Sequence, residues 1–135
     1  MAKQSGLGWT TCTVDNASGV AKAIINDVTN LQISTPRGVQ DVTGLDKSAY
    51  ERILLLADAS VTLNGVFNPS ADASHDVLST VTSSAVARTT TLTIASKTLA
   101  TEQLYTDYNL TRAQTGEFTW EAPGVLADGT VPTWA

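Results

Sequence analysis

Thr89-Thr90-Thr91-Leu92-Thr93-Ile94-Ala95 lies inside a longer run, Val86 to Ser96, in which β-branched and apolar residues alternate with little interruption. Branching at Cβ restricts the side chain and suits a pleated, half-buried surface better than a helix, so the run predicts one long strand. Thr, Ser and Val recur throughout the chain and helix-forming blocks are few, which extends the β reading to the whole molecule.

On the N-terminal side, Trp9 to Val14 reads as a strand, Asp15-Asn16-Ala17-Ser18-Gly19 as a turn and Val20 to Ile25 as its return, a β-hairpin. Val28 to Thr35 alternates with Leu31 and Ile33 on one face until Pro36-Arg37-Gly38 interrupts it, and residues 36–45 read as a long irregular loop. Ser48-Ala49-Tyr50-Glu51 has capping-box spacing ahead of Ile53, Leu54 and Leu55, which predicts a short helix from Asp46 to about Leu56. Ser60 to Asn68 alternates as a strand, with a bulge expected at Gly65; Asn64-Gly65 is also a hairpin signal, but its flanks are too short for two strands. A second helical stretch runs from Asn68-Pro69-Ser70 to about Ser83-Ser84, with Ala71, His75, Leu78 and Thr82 on one face.

On the C-terminal side, Leu104 to Arg112 and Gly116 to Glu121 read as two strands of a hairpin turning through Ala113 to Gly116, with Phe118 and Trp120 on one face. Residues 123–135 are apolar but not periodic and read as a C-terminal arm carrying Trp134; residues 1–8 read as an N-terminal arm. Six or seven strands with one or two short flanking helices define a mainly β domain spanning residues 1–135, a β-sandwich or partly open barrel.

Composition narrows the function. The chain has 135 residues, 42% hydrophobic and 16% charged, which places it among folding globular domains of ordinary size. Its formal net charge of −5, with eight scattered Lys and Arg, argues against binding a phosphate backbone. No run of eighteen apolar residues is present, and Met1-Ala2-Lys3-Gln4-Ser5-Gly6 lacks the apolar stretch of a secretory signal, so a cytoplasmic site of synthesis without membrane insertion is expected. Cys12 is the single cysteine, which excludes an intrachain disulfide and reads as a small buried residue.

No catalytic, cofactor-binding or metal-binding residue is expected. Ser74-His75-Asp76 holds the ingredients of a triad, but adjacent residues project in different directions, whereas a triad needs its three groups in one hydrogen-bonded line. His75 therefore reads as a packed or capping residue. Glu117 and Glu121 lie on one face of a strand at a spacing open to glycosidase chemistry, yet a solvated or pore-facing strand accounts for them equally. Metal-ligand spacing and a Gly-rich phosphate cradle are both missing; Gly6-Leu7-Gly8 lacks a P-loop lysine.

Assembly features are more informative. An edge strand offers unpaired N–H and C=O groups, and the strands here are nearly free of the Lys and Pro that protect such edges. The apolar arm with Trp134, and the Pro36-Arg37-Gly38 excursion, read as docking elements between subunits, since aromatic and Arg anchors are enriched at protein contacts.

Several segments, in order, carry a resemblance: Ile33-Ser34-Thr35-Pro36-Arg37-Gly38; Asp41-Val42-Thr43-Gly44-Leu45-Asp46-Lys47-Ser48; Leu63-Asn64-Gly65-Val66-Phe67-Asn68-Pro69; Ser74-His75-Asp76-Val77; Gly116-Glu117-Phe118-Thr119-Trp120; and Ala127-Asp128-Gly129-Thr130-Val131-Pro132-Thr133-Trp134. Together they resemble the tail tube proteins of siphophages, particularly those infecting actinobacteria. The resemblance implies a sandwich with a flanking helix, inner sheets joined edge to edge as a hexameric β-barrel, and rings stacked into a tube in the virion tail. It implies as partners the chain itself, a tape measure protein, and tail terminator and distal tail proteins, with assembly in the host cytoplasm and DNA passing through the lumen without specific binding.

Six copies at −5 each would place −30 on a ring, and such fixed charge repels DNA only within a Debye length of about 8 Å, as a non-stick lining. Asp107, Asn109, Glu117 and Glu121 alternate away from the apolar faces of the last hairpin and are the expected lumen residues. A tube subunit of a phage-derived contractile injection system, and a β-sandwich decoration or adhesion module, are the alternative readings.

Deleting Val131 to Ala135 is expected to leave a folded monomer by circular dichroism and to impair polymerisation by size-exclusion chromatography. Loss of folding would instead place Trp134 in the intrachain core.

Overall fold

The Thr-rich run becomes strand β7 (Arg88–Ile94), with Arg88, Thr90 and Leu92 buried and the intervening threonines half-buried. The computed structural model describes residues 3–135; Met1 and Ala2, at the start of the expected N-terminal arm, lie outside it. Around β7 stand β1 (Trp9–Asp15), β2 (Ala21–Ala23), β3 (Val28–Ser34), β4 (Arg37–Asp41), β5 (Arg52–Ala57), β6 (Ser60–Val66), the helix α1 (Ser74–Leu78), β8 (Lys97–Tyr105), β9 (Asn109–Arg112) and β10 (Phe118–Leu126). The fold is mainly β, as expected, and every strand pairing is antiparallel. Among the described residues no helix is long and apolar enough to cross a membrane.

Eight strands form one sheet in the order β2-β1-β7-β8-β10-β6-β3, with β9 also paired to β10, while β4 and β5 form a separate two-stranded ribbon. The large sheet bends back over itself: Cys12, Val14 and Leu92 from the first half share one core cluster with Val61, Leu63, Trp120 and Ala122 from the second. It is a partly open barrel.

Several local expectations hold. β1 and β2 form the first hairpin, its turn closed by Asn16 Oδ1 accepting the N–H groups of Ser18 and Val20 at 2.9 and 3.0 Å, with Gly19 at φ +80°. β9 and β10 form the last hairpin, and Cys12 is buried. The bulge falls at Gly65, although the extra residue, Thr29, belongs to the facing strand β3.

Five expectations are corrected. The helix over Asp46–Leu56 is absent; Ile53 to Leu56 are instead strand β5, paired with β4, and the Thr43 hydroxyl rather than a Ser48 cap accepts the Glu51 N–H at 2.8 Å. The loop over 36–45 is for half its length strand β4, since a facing apolar strand gives its backbone partners. The second helix shrinks to α1, because Asp72 sits at φ +60° and Ala73 is extended, so the chain turns rather than winds before Ser74.

Leu104 to Arg112 is not one strand: it breaks at Thr106–Tyr108 into β8 and β9, and β8 reaches back to Lys97. Pro123 explains the break. One edge of β10 meets β9 over Phe118–Glu121 and β8 over Gly124–Leu126. The Pro123 carbonyl faces that edge, accepting the Thr106 N–H at 3.1 Å, and the N–H that proline lacks would face it too. The expected arm is likewise strand through Leu126.

Gly65 is held by its surroundings. A Cβ there would lie 2.1 Å from the Asp27 carbonyl oxygen and 2.6 Å from Trp120 Cζ2. Gly65→Ala is expected to destabilise the fold by about 3 kcal/mol or more, as overpacking against backbone leaves nothing free to move. Urea melts monitored by Trp fluorescence would show it as a lowered midpoint, and an unchanged midpoint would contradict the packing described.

Candidate functional site: open sheet edges and an apolar ribbon

The second half of the sheet, β3-β6-β10-β9, is a four-stranded unit whose outermost strands, β3 and β9, each have one edge without a partner strand. Its outer face is built by cross-strand neighbours, which share a face in an antiparallel ladder. Asn30 faces Asn64, Asn64 faces Glu121, and Glu121 faces Asn109, so four polar residues form one row across four strands. Gln32 and Thr62 form the next row on one side, Thr111 and Thr119 on the other. Strand alternation places none of the eight Lys and Arg on this face.

Of the four residues expected to line a lumen, Asn109 and Glu121 are thus direct neighbours on that face. Glu117 sits exposed beside the hairpin turn, its carboxylate accepting from the Thr115 hydroxyl, and Asp107 lies exposed in the break between β8 and β9. Asn30 and Asn64 complete the row and were missed, because only the pairing register brings them beside Glu121.

The free edge of β9 follows from its turn. Ala113 N–H donates to Glu117 O at 2.8 Å and Gly116 N–H to Ala113 O at 2.9 Å, with Gly116 at φ +102°. Counting back from Ala113, the backbone groups of Thr111 and Asn109 turn to β10, and those of Leu110 and Arg112 turn outward. Leu110 is itself an exposed side chain.

The ribbon β4–β5 is the second feature. Val39, Leu54 and Leu56 are 53, 60 and 89% exposed, and Ile53, Leu55 and Tyr50 are exposed as well. Its base is closed by the Asp58 N–H donating to Pro36 O at 2.8 Å, and by the Arg37 guanidinium, whose Nε and Nη2 both donate to Leu55 O at 3.1 and 2.9 Å. Gly38 lets the strands approach there, since a Cβ would sit 3.2 Å from Leu55 Cβ. Toward the tip, the Thr43 hydroxyl and N–H donate to Asp41 and hold its carboxyl below the usual range. Two-stranded ribbons are marginal alone in water, and this one shows apolar side chains on both faces. Pro36, Arg37 and Gly38 therefore form its base, while most of the bare apolar surface beyond them belongs to β5.

The Ser74-His75-Asp76 groups go three separate ways. His75 Nδ1 lies 3.1 Å from the Tyr108 hydroxyl and its ring packs on Phe67 at 4.7 Å; Asp76 accepts the Asp72 N–H at 3.0 Å; Ser74 Oγ is buried with no partner. Burial, helped by the Asp27 charge, pushes the Tyr108 phenol up to about 12. No cluster of His, Cys, Asp and Glu suited to a metal ion exists among the described residues.

Neither a protein-family model nor a curated protein sequence matches the chain. Two chains of solved particles superpose on nearly all of it. One comes from the virion of a native gene transfer agent particle, with a TM-score of 0.77 and 17% identity over 98% of this chain and 99% of that one. The other comes from the tail of an empty gene transfer agent particle, computed with helical refinement in C6 symmetry, with a TM-score of 0.78 and 18% identity over the same shares. At such identity the likeness is one of fold.

Cys12 lines the opening between β1 and β3, and burial pushes its thiol from 9.0 up to about 12. The unfolded chain ionises the thiol first, so this contribution to stability is complete below pH 9 and declines as pH rises toward 12. Urea midpoints are expected to fall between pH 9 and 10, and Cys12→Ala should flatten that decline; an equal slope in the variant would assign it elsewhere.

Proposed function

We propose that the chain is a structural subunit of a phage-type tail, a tube protein that polymerises through its sheet edges into sixfold rings stacked end to end. The observation that carries this reading is the four-stranded unit β3-β6-β10-β9 with a free strand edge on each side. Four antiparallel strands end in opposite directions, so β9 of one copy meets β3 of the next antiparallel, and every junction of a ring repeats the same pairing. The fold shared with a chain from a C6 particle tail supports this closure.

On this reading the row Asn30, Asn64, Glu121 and Asn109 faces the lumen, in a wall of mainly amides and hydroxyls that also shows Val66 and Val125, with sparse acid and no basic group to hold DNA. Asp107 and Glu117 stand at its margin. The ribbon based at Pro36, Arg37 and Gly38, together with the segment carrying Trp134, makes the contacts between copies, and a tape measure protein, a tail terminator and distal tail proteins are the other partners. The chain works in the virion tail after assembly in the host cytoplasm and turns over no substrate.

Negative-stain electron microscopy over a rising concentration series, with size-exclusion chromatography alongside, tests the proposal: hollow tubes or six-membered rings are expected. Leu110→Pro removes an outward N–H from β9 without touching its bonds to β10, and should yield a folded subunit that no longer assembles, while Leu110→Ala assembles at least in part. Assembly undiminished in the proline variant would refute pairing through β9.

A further inference from the structure

The other half of the sheet also holds an incomplete edge. β8 pairs with β7 over Lys97–Gln103, but on its other side β10 reaches only Gln103–Tyr105. The remaining edge is covered by the last residues of the chain. Ala127 N–H donates to Glu102 O at 3.0 Å, residues 128–133 then lift away, and Trp134–Ala135 return to the same edge. There Trp134 lies opposite Leu99, and Ala135 and Thr98 exchange both backbone hydrogen bonds at 2.9 Å. Beneath the lifted segment is an open cavity of about 370 Å³ between Thr89, Ala100 and Glu102 of the sheet and Thr130, Val131 and Pro132 of the tail.

The tail is docked by two backbone hydrogen bonds and by about half of the Trp134 surface. Trp134 remains 49% exposed and Val131 59%, so neither is locked into the core of its own chain. The lifted segment is a hinge: Gly129 turns it at φ +72°, and the Thr130 N–H bonds only within the segment, to Asp128 Oδ1 at 3.0 Å. Pulled straight, six residues span roughly 20 Å.

We infer that this tail is exchanged between copies, Trp134–Ala135 of one subunit leaving its own β8 and taking the same seat on β8 of a second. Seat and occupant already fit within one chain, so an identical chain offers the same backbone bonds without a new interface. Within a lone subunit the short tether keeps the tail at home, because its effective concentration there is high. Alignment of subunits in an assembly removes that advantage and makes exchange competitive. The inference rests on the self-assembly reading for its setting.

The test is the double variant Thr98→Cys, Ala135→Cys. A directly opposed hydrogen-bonded pair has a Cα separation of about 5.5 Å, within disulfide reach. Cys12, buried and held as a thiol, stays out of the reaction. Assemblies are formed reduced, then oxidised and run on a non-reducing gel. A ladder of covalent multimers is expected, absent in Ala135→Cys alone, whereas monomers with both thiols consumed overturn exchange and leave assembly standing. If the chain stays monomeric at every concentration by microscopy, the assembly reading fails separately. Oxidation of the concentrated protein then decides exchange: covalent dimers support it and monomers alone overturn it.

Discussion

One edge of a strand can bond one neighbour at a time, and on β10 that edge is divided at Pro123. A residue there with an N–H would ask for a continuous partner, and β8 would run straight into β9 beside it. With the donor missing, the partner strand breaks at Thr106–Tyr108, and the sheet forks. β8 leads to β7, β1 and β2, while β9 completes the unit that ends at β3. The free edge of β9 and the uncovered stretch of β8 follow from this division.

The fork needs a clamp, and α1 supplies it. At its first turn, the buried Asp27 carboxylate accepts the Ser74 N–H at 3.0 Å and the Asn68 side-chain amide at 2.9 Å, tying the helix to the segments flanking β3 and β6. At its last turn, the buried Arg88 guanidinium of β7 donates to Val77 O at 2.6 Å and Thr80 Oγ1 at 2.8 Å, and reaches Asp15 O of β1 at 3.2 Å. An anion at the N-terminal end and a cation at the C-terminal end complement the exposed N–H and C=O groups there. Arg88 donates to carbonyls and a hydroxyl rather than to a carboxylate, and burial draws its pKa down against the opposing charge of Asp15. Each end of one short helix thus grips a different half of the sheet.

Period-two alternation made most strands legible, because the half-buried faces of β1, β3, β6, β7 and β10 carry it openly. β8 was hidden because its hairpin with β7 turns through Ala95 and Ser96 at φ +50° and +67°, positions usually marked by Asn or Gly. The ribbon was hidden for the opposite reason: Ile53-Leu54-Leu55-Leu56 is a continuous apolar run whose period distinguishes neither strand nor helix, and the Ser48–Glu51 capping spacing tipped the reading to helix. Of the site, alternation exposed Asn109 and Glu121, but Asn30 and Asn64 join them only through a register that no single segment encodes.

Under the proposed assembly, magnitudes give the strand edges and the ribbon different tasks. The outward backbone groups of Leu110 and Arg112 offer up to four hydrogen bonds, each exchanged against water for a net of about 1 kcal/mol. Association costs about 4–15 kcal/mol in lost freedom, so edge pairing alone leaves copies apart or barely held. Covering the exposed parts of Leu54, Leu56 and Val39 contributes about 1–2.5 kcal/mol each, and the ribbon presents several such side chains together. Under the proposed assembly, strand edges therefore fix which copies meet and in what direction, whereas the ribbon supplies the free energy that keeps them together. This division also fits a subunit that stays apart when dilute: its polar edges are hydrated at little loss, and the apolar side chains of β4 and β5 are confined to a narrow projection that becomes useful only where an aligned neighbour can cover it.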